Sequence, residues 1–343
     1  LIVRDLATNV WRHSSKFQSF LVLLLMIAAM TALSDRFLTA ANGWNIMRQI
    51  SVNLCLSIGM TMVIVGGGID LSVGSILALA GAVTAGLIKL AVPIPWLGVQ
   101  LEFTVHGAIL TGLLVGMFLG WFNGLMITKV RIPPFVATLG MLSIARGLTM
   151  LWTKGFPITG LGEQFAVIGT ATAFGIPIPV WISASLVVAF VVVTKKTRFG
   201  RYIYAIGGNE RTAKLSGLNV NRIKVAIYTL AGGLSAIAGL IVTSRLDSAQ
   251  PNAGSGYELD SIAAVVIGGT SLSGGRGSIL GTVLGCLIIG VLNNGLVLME
   301  VSPFWQHVIK GLVILVAAAI DRASRREDWL YIVMNRYRVP ATV

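Results

Sequence analysis

Acid is scarce in this chain: aspartate and glutamate together number 13 among 343 residues, and only 11% of positions carry a formal charge. So little charge, beside 55% apolar residues and a mean hydropathy of +0.84, excludes a soluble globular domain of ordinary composition. It excludes a disordered chain, a coiled coil and a collagen equally well. Cysteine is almost missing, and the two that occur, Cys55 and Cys286, both lie inside apolar runs. Neither a disulfide framework nor a thiolate metal site follows from them. Three histidines offer no pair with ligand spacing. No Gly-x-x-x-x-Gly-Lys-Ser/Thr segment occurs, and Gly274-Gly275-Arg276-Gly277-Ser278 has no lysine to reach nucleotide phosphates, so this chain carries no P-loop.

What the chain has in excess is long uncharged stretches. They cover 17–34, 49–69, 71–88, 103–128, 132–153 (broken only by Arg146), 164–194, 225–244, 261–275, 277–299 and 301–320 (broken by Lys310). Most reach the roughly 18–20 residues that a helix needs to cross a bilayer. The reading is an all-α, polytopic membrane bundle of about ten transmembrane helices in one domain, 1–343, with 261–275 short for a crossing. A re-entrant segment in place of one helix fits the composition as well. The first run follows Arg4, Arg12 and Lys16 like a signal peptide, but it is long for one and lacks a small-residue cleavage site, so it reads as a retained helix.

The formal charge of +13 reads as orientation rather than as nucleic-acid binding. With the N-terminus inside, the cytoplasmic loops hold 19 of the 26 basic residues, eight of them between Lys195 and Lys224 and five between Arg322 and Arg338. Both termini are then cytoplasmic, by the positive-inside rule.

A repeat lies within the apolar background. Gly67-Gly68-Ile69-Asp70-Leu71-Ser72-Val73-Gly74-Ser75-Ile76-Leu77 returns as Gly268-Gly269-Thr270-Ser271-Leu272-Ser273-Gly274-Gly275-Arg276-Gly277-Ser278-Ile279-Leu280, with two residues inserted. Glycine-broken apolar segments at corresponding places in two halves point to a transport pathway, since interrupted helices expose backbone groups to a polar solute. The helix-breaking glycines are Gly67, Gly68, Gly74, Gly268, Gly269 and Gly275. Both copies fall on the cytoplasmic side as a parallel repeat, and a re-entrant segment would make the repeat inverted. The polar residues that such a path offers are Asp70, Ser72, Asn123, Thr270, Ser271, Ser273, Asn293 and Asn294. For Asp70 a cap of the following helix comes ahead of a place in the path, and for each asparagine a bridge between helices does. Lys310, deep in the last apolar run, requires a carboxylate such as Glu258 or Asp260 unless it snorkels.

The loop 195–224 is too structured in composition for a tether. Asn209-Glu210 after two glycines is a helix start and Gly217 a helix stop, which predicts a short exposed helix over 210–216 with Asn209 as cap and Leu215 free to meet a partner. A basic loop of net charge +7 held on anionic lipid headgroups is the competing use.

Taken together, these residues resemble the permease subunits of bacterial ATP-binding-cassette sugar importers, most closely the ribose type. The likeness rests on Ile58-Gly59-Met60-Thr61, the two glycine-serine segments, Arg198-Phe199-Gly200-Arg201, Gly207-Gly208-Asn209-Glu210, Gly256-Tyr257-Glu258-Leu259-Asp260 and Leu292-Asn293-Asn294-Gly295, spread over nearly the whole chain. The resemblance implies that Asn209, Glu210, Ala213, Leu215 and Gly217 form the segment that docks on an ATPase subunit. Arg211 and Thr212 depart from the family's usual Glu-Ala-Ala. It further implies a homodimer of permeases in the bacterial inner membrane, a cytoplasmic ATPase that alone binds ATP and Mg, and an extracytoplasmic sugar-binding protein. This chain then binds no cofactor and catalyses nothing. An ion-coupled secondary sugar transporter requires a midplane carboxylate, for which only Asp70 stands. An intramembrane hydrolase built from Ser72 or Ser273 with His106 or His307 lacks an ordered base with its orienting acid.

Overall fold

The computed structural model describes residues 19–90, 92–94, 99–316 and 319. The basic clusters at 4–16 and 322–338, on which the terminal orientation was read, lie outside them. The architecture is an all-α membrane bundle in which six helices are long and apolar enough to cross a bilayer: α2 (Ala40–Val65), α4 (Val105–Leu125, prolonged by a π-helical turn, Met126–Val130), α5 (Pro134–Thr153), α7 (Ile178–Lys196), α10 (Val220–Arg245) and α12 (Ile279–Leu298). Shorter apolar helices are α1 (Ser19–Leu33), α3 (Val73–Lys89) and α13 (Pro303–Val316). The remaining helices are α6 (Glu163–Thr170), α8 (Arg198–Gly208), α9 (Glu210–Leu215) and α11 (Tyr257–Ile267).

Boundaries follow capping and proline more closely than charge. Helix α2 starts nine residues before the uncharged run because Thr39 caps it, accepting from Asn42 N at 3.3 Å, and Arg48 is carried inside the helix. The run 164–194 is divided. Its first part is α6, its last α7, and between them β4 (Thr172–Ala173) and β5 (Ile176–Pro177) make a tight antiparallel hairpin that Pro177 prevents from being helix. Two other short antiparallel pairs occur, β1 (Val92–Ile94) with β2 (Val99–Leu101), and β3 (Ile158–Thr159) with β6 (Ser248–Ala249). The second joins the segment after α5 to the segment after α10.

Helix α2 is the axis of the bundle. Packed against α7, α10, α11 and α12, it buries 89% of its most apolar window, whereas the corresponding window of α7 is only 17% buried. An apolar helix that leaves most of its surface open suits lipid; one covered all round is core. The other close pairing, α4 on α10, has a different cause. Gly112, Gly116, Gly120 and Gly124 recur every fourth residue along one buried face of α4, and the backbones of Tyr228 and Gly232 on α10 come directly against it. Lipid tails give apolar side chains no reason to associate, so membrane helices gain by approaching this closely.

That packing sets a stability test. Gly120→Ala drives a methyl into the Tyr228 carbonyl and should destabilise the protein by roughly 1–3 kcal/mol. Gly43→Ala, whose methyl meets nothing, should hold stability or raise it by up to about 1 kcal/mol through helix propensity. Thermal unfolding in detergent micelles ranks the two variants, and equal melting temperatures would remove α4–α10 contact as the cause.

Candidate functional site

Three neighbouring features form the candidate site: an exposed helical hairpin, a glycine junction beneath it, and a broken helix behind the junction. The loop 195–224 proves shorter and more helical than its charge pattern suggests, because α7 runs on to Lys196 and α10 begins at Val220. Its first part is α8, capped by Thr197, which accepts from Gly200 N at 3.2 Å. Ile203 and Ile206 are buried on one face of α8 and Arg198 and Arg201 are exposed on the other. The second part is the short helix expected from the sequence. Asn209 Oδ1 accepts from Thr212 N at 3.0 Å, and Gly217 closes the helix at φ +83°. Ala213 is buried with Ile206 and Val220, while Leu215 is 81% exposed. Lys224 Nζ meets Glu210 Oε2 at 2.6 Å and ties α9 to α10; at this exposure the pair contributes at most ~1 kcal/mol.

The hairpin rests on the two glycine segments. At the end of α2, Gly67 N donates to Ile64 O at 2.9 Å and Gly68 N to Val63 O at 2.9 Å, with Gly67 at φ +83°. At the end of α11, Gly269 N donates to Val266 O at 2.8 Å and Thr270 N to Val265 O at 3.1 Å, with Gly269 at φ +84°. These are two copies of one C-terminal helix cap, with a left-handed residue that favours glycine at the same place in each. The copies also touch. Gly275 N donates to Val65 O at 2.9 Å, Gly274 lies on Gly67, and Gly207 near the end of α8 wedges between Val65 and Gly275 so tightly that a Cβ would strike the Val65 carbonyl. Gly68 lies against the Tyr228 hydroxyl, Gly268 against Gly281, and Gly74 against the Gly254 carbonyl. Tyr204 Oη of α8 donates to Gly277 O at 2.9 Å. The hairpin is therefore in direct contact with both glycine segments.

The polar residues named from the sequence are mostly interior. Asp70 and Ser72 are fully buried: Asp70 Oδ1 accepts from Ser72 N at 2.9 Å and from Ser72 Oγ at 2.5 Å, and Ser72 Oγ accepts from Asn123 Nδ2 at 3.0 Å. Asp70 thus stabilises the turn ahead of α3 and anchors α4 through Ser72. Asn294 and Asn42 exchange amide bonds at 2.8 and 2.9 Å, bridging α12 to α2. Asn293 Nδ2 reaches Asp260 Oδ2 at 3.5 Å, and Thr270 and Ser271 are buried. Ser273 is exposed, 3.3 Å from the Ser271 hydroxyl. Lys310 finds one of its two expected partners, Asp260 Oδ2, at 2.9 Å.

The interval 261–275 differs from the run of apolar sequence. Its helix, α11, begins earlier, at Tyr257, and ends at Ile267; eleven residues cover only about 16 Å. Ahead of it, residues 246–256 are non-helical apart from the two-residue β6. This unwound stretch is held by Arg146, whose Nη1 donates to Pro251 O at 2.7 Å and to Ala253 O at 2.9 Å. In the sequence Arg146 stands out only as the break in the run 132–153, and nothing beside it indicates this use. The signal was present in Gln250-Pro251-Asn252-Ala253-Gly254-Ser255-Gly256, a cluster of turn formers ahead of an apolar run. Among the described residues no group of three or more histidine, cysteine, aspartate or glutamate side chains could hold a metal ion.

Comparison with known proteins agrees with this geometry. Residues 42–318 match the family model described as the branched-chain amino acid transport system / permease component. The chain is 52% identical over 312 residues to the ribose import permease protein of Bacillus subtilis strain 168, covering 90% of this chain and 92% of that one. It is 48% identical over 317 residues to the ribose import permease protein of Haemophilus influenzae, covering 91% and 95%. To the D-allose transport system permease protein of Escherichia coli K12 it is 38% identical over 308 residues, covering 90% and 91%. No solved structure gives a significant match.

The buried ion pair yields a test of the site's framework. Lys310→Met leaves Asp260, whose side chain is 5% exposed, without a counter-charge and should lower stability by about 3 kcal/mol. The double variant Lys310→Met/Asp260→Asn should recover most of that loss, since a buried pair removed together costs little. Chemical or thermal unfolding of the four proteins closes the cycle, and losses that simply add would show no coupling.

Proposed function

Because the chain belongs to the family of branched-chain amino acid transport system permease components, we propose that it is the membrane-spanning permease of an ATP-driven, binding-protein-dependent importer of ribose. The single observation that carries the solute is the identity of 48% and 52% to ribose import permeases over 90% or more of the chain, well above the 38% to the allose permease. Proteins of this family are transporter subunits rather than enzymes. ATP and Mg bind a separate cytoplasmic subunit, and an extracytoplasmic sugar-binding protein delivers the solute.

The whole chain acts as one permease domain with ten crossings: α1, α2, α3, α4, α5, α7, α10, a broken eighth made of 246–256 with α11, then α12 and α13. The basic residues of α8 and α9 support a cytoplasmic hairpin, and ten crossings would leave both termini on that same side. In that frame α2 and α11 both run toward the cytoplasm and α3 and α12 both run away, which supports a parallel repeat. The bacterial inner membrane is the site of action, and two copies form the pore.

Helix α9 supplies the coupling contact. Asn209, Glu210, Ala213 and Gly217 set its shape, and Leu215 is the apolar group left for a groove on the ATPase, as an exposed anchor residue at a protein interface would be. Closure of two ATPase subunits moves the hairpin, and the hairpin moves the glycine junction through Gly207 and Tyr204. Asp70, Ser72, Asn123, Thr270, Ser271, Asn293 and Asn294 act as the polar packing that lets the broken helices shift as units, with Ser273 at the cytoplasmic rim.

Ribose uptake into proteoliposomes containing this chain, its ATPase and its binding protein tests the reading. Uptake should require both partners and ATP, and Leu215→Asp should reduce it at least about tenfold, a loss of ~1.4 kcal/mol in coupling, with the permease still present in the membrane. Uptake by this chain alone on a proton or sodium gradient would instead establish a secondary transporter.

A further inference from the structure

The broken eighth crossing exposes polar side chains where a lipid-facing helix would have none. Gln250, Asn252 and Ser255 are all exposed, and they stand on backbone that is not helical. Their depth follows from their neighbours. Gly254, between Asn252 and Ser255, packs on Gly74, which is fifteen residues and so about 22 Å from the far end of α3 at Lys89. Arg146, which holds the carbonyls of Pro251 and Ala253, lies twelve residues, or about 18 Å, from the start of α5 at Pro134. Lys89 and Pro134 stand at opposite faces of a hydrocarbon core about 30 Å thick, so the two measures put residues 251–255 inside the core, roughly 8–18 Å from its cytoplasmic face.

Non-helical backbone is tolerated at that depth only where it is enclosed by protein or lines a water-filled cavity. The main chain here is provided for. Arg146 satisfies two carbonyls, Ser255 N donates to Asn252 O at 3.3 Å, and Tyr257 N to Gly254 O at 3.2 Å. The charges are also occupied, since Glu258 accepts from Gly256 N at 3.3 Å and attracts the Arg146 guanidinium. What remains open is a set of neutral amide and hydroxyl groups. Such groups in hydrocarbon lose their hydrogen bonds to water with nothing in exchange. They match the hydroxyls of a neutral polyol, which they can bind weakly without holding a counter-ion.

We propose that Asn252 and Ser255 line the solute path within the hydrocarbon core and contact the sugar there, with Arg146 as the positioning residue that keeps the eighth crossing unwound. The assignment rests on the permease reading above for the identity of the solute, while the aqueous exposure of the segment stands apart from it. Helices α4 and α7 present apolar side chains at comparable positions, and there the surface suits lipid.

Cysteine labelling decides the matter, and the native cysteines do not interfere, since Cys55 and Cys286 are both 0% exposed. Asn252→Cys, Ser255→Cys and, as a lipid-facing control on α7, Val188→Cys are reconstituted with the ATPase and the binding protein and treated with a membrane-impermeant methanethiosulfonate. Thiols react as thiolates, which require water, so the first two should label at least about tenfold faster than the control. Labelling no faster than Val188→Cys would mean that lipid or a second copy seals the segment, and would overturn the proposal. As a second measurement, Asn252→Ala/Ser255→Ala should reduce ribose uptake at least about fivefold at unchanged membrane level, a loss near 1 kcal/mol from the missing hydrogen bonds. Unchanged uptake would overturn the solute contact. Wild-type uptake that proved independent of ATP would sink the importer reading while leaving the labelling result intact.

Discussion

Backbone groups freed where a helix ends within an apolar bundle must be satisfied by the protein itself, and this chain is built around three such places. Two are glycine caps at the ends of α2 and α11, each closing its own last turn with the same pair of backbone bonds. The third, residues 246–256, closes only part of its backbone on itself, through Ala253 N to Gln250 O at 3.0 Å and Ser255 N to Asn252 O at 3.3 Å. It relies on Arg146 from α5, on β3, and on Asp247, whose Oδ1 accepts from Leu161 N at 2.8 Å. The difference has a mechanical consequence. A self-capped break moves with its helix as a rigid unit, whereas a break held from another helix ties the two together.

The glycine junction turns this constraint into a coupling device. Gly207, Gly274 and Gly275 lie so close to the backbones of Val65, Gly67 and Gly208 that a side chain larger than hydrogen at any of the three would separate the elements. Backbone-to-backbone contact leaves no flexible side chain to absorb a small displacement, and packed interiors respond to such displacements by shifting between arrangements rather than by deforming smoothly. Helices α8 and α9 are therefore joined to the ends of α2 and α11 by contacts that leave little slack. The remaining elements supply a fixed reference, chiefly the tight α4–α10 pair, where Gly116, Gly120 and Gly124 of α4 lie against α10.

Local signals in the sequence were enough for the parts whose determinants are local. Asn209, Glu210 and Gly217 specify α9 within eight residues, and the structure returns its cap and its stop at those positions. The repeated Gly-Gly segments likewise stand out because a left-handed cap needs glycine wherever it occurs. Interval boundaries drawn at charges failed where charge was not the determinant: Arg48 sits inside α2, and an uncharged run hid the hairpin between α6 and α7 that Pro177 imposes. Helix α8 was missed because its amphipathic face, Ile203 and Ile206 against Arg198 and Arg201, packs on the bundle rather than in the membrane and carries too little hydropathy to be noticed.

The polar residues divide in a way that no single position could reveal. Asn293 and Asn252 are the same residue type, yet one, in an apolar run, is 4% exposed, beside Asp260, and the other, among turn formers, stands exposed on an unwound turn. What separates them is whether the local backbone satisfies itself. Asn293 lies within α12, whose carbonyls are already bonded, so its amide is spent on a neighbouring helix. Asn252 lies where the chain has left the helix and a guanidinium from α5 has taken over the backbone, which leaves the amide available to a solute. The same distinction separates the two membrane cations. Lys310 neutralises a carboxylate and so holds helices together, while Arg146 spends its donors on carbonyls and so holds a helix open. In a chain with this little charge, the pathway is therefore marked less by its polar residues than by the place where backbone hydrogen bonding passes from the helix to an arginine.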